Sequence, residues 1–568
     1  MCIIFGVGAL ARPNTPDSIK EPVIVPEKIY LETPIETQQE EIVPSLFDQL
    51  STEAKNTLAE QQKVDALLAN ELNANTYTFE NPLIIINPYG NSPLTALALF
   101  ETEEPATISV RVPGKTEVTD VTFDFPDYKK HHIIPIYGLY PDILNMVEIT
   151  SVRENGATIS AVLELQTEPL PKPISDLTII TDLRRPDLYQ DGFNFCFFQK
   201  RAYDAEGYIR WYLNDFTFLQ AQQTNYNGHL LLTKGSLHHG ATLIYEMDYL
   251  GRIYNVYYSP YGAHHDIFAL ENGNLLVTGS DIEAFEAIIY EIDKTNGEII
   301  TLLDFSEILP RTRIISPYFN NEDWLHINSI VSDGDGNIVV SGRNQSAVLK
   351  LSWPEGKIDW VFSFHDGWPE MFKKHLLKPI GDNFEWPLCQ HNPTILPDYD
   401  NNSDTIDILI FDNGIDRFSL NKELQRKILR GEATTPELYS RIVHYRINEK
   451  TRTVQQIWQF GNELGKTYFS QLGGNAELLS TGSFFAAFPG INQIKQVSGT
   501  EETIYNTSCF EVSKSGEIIW ESYIADKTGS IWGGEYRTVR ATIYTDRDND
   551  YSLDIIPNNF VPEKEVAQ

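Results

Sequence analysis

The sequence predicts an all-β protein, a six-bladed β-propeller preceded by a small N-terminal β-sandwich and a short helical arm. Three observations predict it. After about residue 175, apolar runs separated by Gly- and Asn-bearing turns recur as similar units. Residues 76 to 168 alternate apolar and polar side chains between turn signals. The 568 residues also exceed what one hydrophobic core usually organises.

Residues 1–75 read as an arm. Residues 2 to 11 are apolar and end in Ala9-Leu10-Ala11, like the end of a secretory signal, but lack a basic start and are too short to span a bilayer. They fit the stump of an export signal, and the expected location is periplasmic, extracellular or cell-surface. No other stretch is apolar enough for a transmembrane segment. Residues 12 to 45 are rich in Pro, Glu and Thr and read as an extended linker. From Ser45 to about Asn75, Leu50, Ala54, Leu58, Val64, Leu67, Leu68 and Leu72 recur at helical spacing, which predicts one amphipathic helix, whole or broken. Its apolar stripe suits a core contact or a homodimer contact.

Residues 76–170 form the sandwich. Thr107-Ile108-Ser109-Val110-Arg111-Val112 and Thr158 to Leu165 are short alternating runs, punctuated by Pro113-Gly114 and Glu154-Asn155-Gly156. Pro169, Pro171 and Pro173 mark a linker into the propeller, residues 171–568. There, Gly228 to Leu232 is followed by Thr242 to Asp248, Gly273 to Val277 by Ala287 to Asp293, and Gly336 to Val340 by Ala347 to Leu351. Looser copies centre on Asp407 to Phe411 and Glu477 to Ser480, and a divergent one spans Phe193 to Leu213. Repeated four-strand units of this kind are propeller blades, and six are counted.

Three of these units carry histidine at their entrance: His264-His265-Asp266, His326-Ile327-Asn328 and His391-Asn392-Pro393. Aligning the turns that follow places His326 with His264 and Asn328 with Asp266, and His391 fits the same column. In a propeller the innermost strands line one axial channel, so these residues are expected to converge at its mouth. A lone histidine is more often structural; three in register are not. Arg343, where a first strand ends, offers a permanently charged fork suited to a tetrahedral oxyanion. The histidines with Asp266 would also suit a divalent metal, but a neighbouring arginine repels a cation, and no metal is expected. His444 reads as a strand residue, and His131-His132 and His238-His239 lie outside the column. Gly473-Gly474-Asn475 reads as a turn, and Arg537 and Arg540 as cations that close the last unit. A formal net charge of -35 opposes nucleic acid and anionic membranes as partners. The four cysteines, Cys2, Cys196, Cys389 and Cys509, are too scattered for a cysteine zinc site.

The His264-His265-Asp266 segment, His326-Ile327-Asn328 with Gly342-Arg343-Asn344-Gln345-Ser346, and Gln390-His391-Asn392 resemble the bacterial arylsulfate sulfotransferase family, over roughly residues 76 to 568. The resemblance implies a six-bladed propeller with the site in its central channel, no cofactor, a phenolic sulfate ester as donor and a phenol as acceptor. It implies that His391 is the nucleophile that becomes transiently sulfated, and that His264, His326 and Arg343 bind and polarise the sulfuryl group. Asn328 is carried over as an auxiliary donor. Of the His264-His265 pair the alignment favours His264, with His265 beside the substrate. Some relatives close a loop before the catalytic histidine with a disulfide; here Cys389 stands alone, so that bond is not expected. The implied mechanism is ping-pong through a sulfohistidine, in which a protonated His264 or His326 donates toward the bridging oxygen and later deprotonates the acceptor. The competing readings are a metal-dependent propeller hydrolase (lactonase or esterase) and a non-catalytic propeller scaffold.

Overall fold

The computed structural model describes the chain apart from residues 1–45, 75, 173, 215–219, 224–227, 237–239, 282, 314–321, 416, 418–425, 427–428, 431–437, 498–499, 527–534 and 562–568. The apolar segment 2 to 11, the linker 12 to 45 and His238-His239 lie outside the described residues.

The helix spans Leu46–Ala74 without a break. Leu58 and Leu68 are buried, whereas Leu67 is 68% exposed, so the stripe is narrower than its sequence spacing predicts. Polar contacts complete the docking. Gln61 donates to the Gly251 carbonyl at 2.8 Å and accepts from the Ile253 amide at 2.7 Å. Asp65 accepts from Tyr89 Oη and Arg252 Nη2, both at 2.8 Å. Arg252 is itself fully buried, and a buried guanidinium is tolerated only with such partners.

Five strands, Leu83–Ile86, Ala96–Val112, Val121–Ile136, Leu144–Arg153 and Thr158–Gln166, form the small β-sandwich-like N-terminal domain. Ala96–Val112 pairs along its length with Val121–Ile136. On its other edge it changes partner, from Leu83–Ile86 in its first half to Leu144–Arg153 in its second. The register of the long pair breaks between Glu101 and Ile108, where that change occurs. Beyond the break Ile108, Val110 and Val112 point inward and are buried, and their alternate neighbours are not, as the period-two pattern requires.

Six further sheets follow among the described residues. Four are built from consecutive strands headed by Gln220–Gln223, Ile267–Ala269, Ile327–Ser332 and His391–Ile395. The fifth is headed by Asn475–Leu478 and takes Leu177–Leu183 as its last strand. The sixth joins Thr538–Ala541 to Phe193–Cys196, Arg201–Tyr203 and Ile209–Tyr212. The two ends of the six-sheet region are therefore interleaved, which ties the first unit in sequence to the last. Asn558–Phe560 also adds in parallel to Ile253–Tyr258. Successive leading strands from Ile267–Ala269 to Thr538–Ala541 lie against one another in order. Each sheet buries an apolar middle, for example Leu276, Val277, Ile289 and Tyr290 in one and Val340, Val348 and Leu349 in the next.

Candidate active site

Every histidine of the column sits at the head of a leading strand, opposite the residue where the second strand of its sheet ends. His264 N–H donates to the Thr278 carbonyl at 3.1 Å, beside Gly279. Arg343 N–H donates to the His326 carbonyl at 3.1 Å. His391 pairs with Phe411, two residues before Asn413. One geometric position thus supplies Gly279, Arg343 and Asn413 in successive sheets. Sequence reasoning found the arginine and missed the asparagine.

Asn413 orients His391. The Asn413 amide nitrogen donates to the Ser470 and Gly473 carbonyls, at 3.0 and 2.9 Å, which fixes its oxygen as the atom 2.7 Å from His391 Nδ1. Nδ1 must then carry the proton, and Nε2 carries the lone pair. His391 is 1% exposed; burial, reinforced by the Arg343 charge, holds its pKa well below the usual histidine value. The ring is neutral at physiological pH.

His265, rather than the favoured His264, joins the other rings. Its centroid is 4.5 Å from His326 and 5.5 Å from Tyr536, and Tyr536 lies 5.6 Å from His391 on its other side. His264 supports it from behind. His264 Nε2 faces the Gly279 carbonyl at 2.9 Å and Nδ1 faces His265 Nδ1 at 2.7 Å, so Nε2–H donates to the carbonyl and Nδ1 accepts from His265. The physical reason is backbone conformation. His265 has φ 51° and His326 φ 55°, and this shared left-handed geometry makes them structural equivalents where turn alignment had paired His264. Burial lowers the pKa of both His264 and His265.

Two carboxylates that sequence reasoning missed flank His326. Its Nδ1 is 2.8 Å from Asp323 Oδ2 and 2.5 Å from Glu286 Oε2. Burial alone would discharge the ring, but the two carboxylates outweigh it and raise His326 to about 10. Glu286 is held below the ordinary carboxylate range by His326 and His265, against its own burial. Asp323 was discoverable as a carboxylate three residues before a column histidine. Glu286 carries no such signal, coming from the loop before strand Ile288–Ile292 of the preceding sheet.

Arg343 is buried, and donates to Asn344 Oδ1 at 2.9 Å and to the Gln471 carbonyl at 3.3 Å. Its charge bears on His391, His265 and Tyr536. The Asn328 amide donates at 2.8 Å to the carbonyl of Gln390, the residue before His391. Asp266 accepts from the Ile330 amide at 2.8 Å and pairs with Arg537 Nη1 at 3.1 Å, while Arg537 Nη2 reaches the Asn328 carbonyl at 3.3 Å. These groups bind neighbouring sheets behind the rings. Tyr536 Oη is buried and has no hydrogen-bond partner among the described residues.

The remaining candidates are structural. His444 is bound to Asp407 at 2.8 Å, and Arg540 pairs with Glu511 at 3.1 Å in the core. His131 lies at the exposed surface near Glu101, and buried His132 contacts Thr102 Oγ1 at 3.1 Å. Gly474 N–H donates to the Tyr536 carbonyl at 3.0 Å, so that turn joins two leading strands. Cys196, Cys389 and Cys509 are buried and form no disulfide among the described residues. Potential ligand atoms of His264, His265 and Glu286, and of Glu286, Asp323 and His326, lie within 4.8 Å of one another, a spacing open to a divalent cation.

Comparison with known proteins bears on these same strands. The sequence profile of the family described as Arylsulfotransferase (ASST) matches residues 193–528, and that of the Arylsulfotransferase Ig-like domain matches residues 83–168. The arylsulfate sulfotransferase AssT of Escherichia coli O6:H1 is 24% identical over 511 residues, covering 68% of this chain and 81% of the relative. AssT of Lelliottia amnigena matches at the same identity and coverage. A solved Bacteroides caccae protein of unknown function overlaps 76% of this chain and 97% of its own at TM-score 0.31 and 11% identity.

Proposed function

We infer the reaction from one premise: this chain belongs to the arylsulfotransferase family. It is an arylsulfotransferase-type enzyme, and the reading here is transfer of a sulfuryl group from a phenolic sulfate ester to a phenol, through a sulfated His391. The six sheets are read as propeller blades, a reading supported by the ordered contacts of the leading strands and by the interleaved chain ends. Both aryl substrates would then meet the same group of rings.

The observation that carries the mechanism is the Asn413–His391 hydrogen bond, since it leaves a neutral imidazole with its lone pair on Nε2. Nε2 attacks sulfur, the N–S bond forms, the S–O bond to the aryl group breaks, and a phenolate departs. The acceptor phenol then attacks the same sulfur, the N–S bond breaks, and its proton passes to a nearby base. Two steps of moderate barrier replace one hard one. If sulfuryl transfer resembles phosphoryl transfer, the transition state is loose and fixed charge does most of the stabilising, a role that fits Arg343. Phenols ionise near pH 10, so a proton donor near the bridging oxygen also lowers the barrier.

The test is release of nitrophenolate from 4-nitrophenyl sulfate in chelator-containing buffer, with and without phenol. Stimulation by phenol with phenyl sulfate as product is the expected result. The spacing of Glu286, Asp323, His326 and His265 supports a second reading, a metal-dependent hydrolase; release that ignores phenol and is lost to chelator would establish it instead.

A further inference from the structure

Glu286 and Asp323 pose a physical problem in a site for anions. Two carboxylates at a sulfate-binding centre repel the substrate unless they hold a positive charge in place. Both converge on one atom, His326 Nδ1, at 2.5 and 2.8 Å. That nitrogen has one proton, and its hydrogen bond goes to Asp323 Oδ2; among the described residues Glu286 Oε2 accepts no hydrogen bond, and it acts through its charge. The pair is built at a cost. Glu286 and His326 both adopt left-handed backbone, φ 47° and 55°, a conformation that strains non-glycine residues. The Ile327 amide donates to the Glu286 carbonyl at 2.9 Å, which fixes the two segments against each other.

We propose that Glu286 and Asp323 are positioning residues that keep His326 a standing imidazolium, whose Nε2–H is a permanent donor to the sulfuryl group rather than a proton shuttle. This rests on the sulfotransferase reading. Among the described residues Nε2 of His326 makes no hydrogen bond, so the carboxylates claim one nitrogen and leave the other. The charged and titratable groups around the ring are Asp323 from its own segment, Glu286 and His265 from the preceding sheet, His264 behind His265, and Arg343 and His391 on the far side. The Arg343 guanidinium is the one permanent cation among these groups, and burial also disfavours a charged His326; the two carboxylates oppose both. Neutral His265, in ring contact with His326, is then left as the base for the acceptor phenol. The spacing that would admit a metal is thereby explained as two ion pairs on one ring.

The experiment measures the burst of nitrophenolate from 4-nitrophenyl sulfate in single turnovers from pH 6 to 8.5, for the parent enzyme and for Asp323→Asn, Glu286→Gln and Asp323→Glu, with chelator present and folding checked by circular dichroism. A raised pKa keeps the imidazolium present as pH rises, so the parent burst rate should change less than about twofold. With a carboxylate removed the ring moves toward its ordinary value of about 6.5. Its charged fraction at pH 8.5 then falls toward about 1%, so Asp323→Asn or Glu286→Gln should slow by tenfold or more between pH 6 and 8.5. Asp323→Glu should restore the flat profile. A uniform loss at every pH in both neutral variants would reduce the carboxylates to a structural role and overturn the proposal. So would a parent rate that already falls across this range, or one restored by a divalent metal after chelation. Absence of any burst from folded parent enzyme, with or without phenol, would instead refute the sulfotransferase reading beneath it.

Discussion

Replacing Asn413 with leucine tests whether one amide sets the reactive tautomer of His391. Leucine has the same branched four-atom skeleton, with bulkier methyl groups and no acceptor, so the Nδ1 proton of a fully buried ring loses its partner. A buried hydrogen bond to that proton biases the tautomer by about 1–3 kcal/mol. Without it, the population with a lone pair on Nε2 should fall by about 5- to 150-fold, taking about 1.4 kcal/mol per tenfold. Stability should fall as well. The Ser470 carbonyl keeps the Ser440 hydroxyl, but the Gly473 carbonyl loses Asn413. Two unsatisfied buried groups at about 1–3 kcal/mol each give roughly 2–6 kcal/mol. Asn413→Asp separates the two effects, because a carboxylate still accepts from Nδ1 yet cannot donate to either carbonyl. It should share the stability loss while its burst rate, depressed near neutral pH by a more basic His391, recovers as pH rises. The assays are single-turnover nitrophenolate release and urea unfolding. A folded Asn413→Leu enzyme with the parent burst rate would refute tautomer control.

Three further outcomes follow from the same contacts. His391→Asn should abolish both nitrophenolate release and phenyl sulfate formation while far-ultraviolet circular dichroism is unchanged; appreciable transfer would move the nucleophile elsewhere. Gly474 has φ 128°, and a Cβ there would run into the Phe411 ring, the cross-strand partner of His391. Gly474→Ala should therefore cost roughly 2–4 kcal/mol in urea unfolding and slow the burst, and an unperturbed variant would contradict the packing. Burial, with Asp248 close by, raises Asp548 to about 6 from 3.8. A carboxyl that binds its proton more tightly when folded makes the protein less stable as pH rises from about 4 to about 6. The loss is up to roughly 3 kcal/mol, so the stability of Asp548→Asn relative to the parent should improve between pH 4 and pH 7. An unchanged difference at both pH values would refute the assignment.

The histidine column was legible because it recurs, and recurrence at strand heads is a statement about geometry that sequence carries directly. Which histidine of the 264–265 pair turns inward was not, because the answer lies in a left-handed φ that no local motif announces. The carboxylates divide in the same way. Asp323 precedes a column histidine by three residues, whereas Glu286 arrives from the adjacent sheet through a contact 40 positions distant in sequence. Asn413 was hidden for a third reason: the repeat was aligned on its turns, which leaves the far end of the second strand unaligned, and there Gly279, Arg343 and Asn413 look unrelated. The strands Leu177–Leu183 and Asn558–Phe560 pair with partners hundreds of residues away, and alternation alone carries no record of a partner. The helix was readable as a helix, but Leu67 shows that apolar spacing fixes a face only when the docking surface is known.

Backbone strain unites these missed features. Among the described residues, six of the eleven non-glycine positions with positive φ are His265, Glu286, His326, Ser346, Cys389 and Asn392, all at or beside the rings. A strand head in ordinary extended geometry aims its side chain along the sheet's alternation; a left-handed residue re-aims it. The reward is convergence: His265, Glu286 and His326 meet, and Cys389 and Asn392 bracket His391. Ser346 Oγ accepts the Cys389 amide at 3.0 Å, and Asn392 bonds to Asn475, so neighbouring sheets hold the His391 segment from both sides. Such conformations persist only where surrounding structure over-determines them, and here Glu286 and Ser346 lead into Ile288–Ile292 and Ala347–Ser352, strands with buried apolar middles. The same rigidity answers the charge problem of a chain at -35. Asp266 sits on Arg537 and the two carboxylates sit on His326, so each of these three acidic groups near the rings is held against a basic side chain.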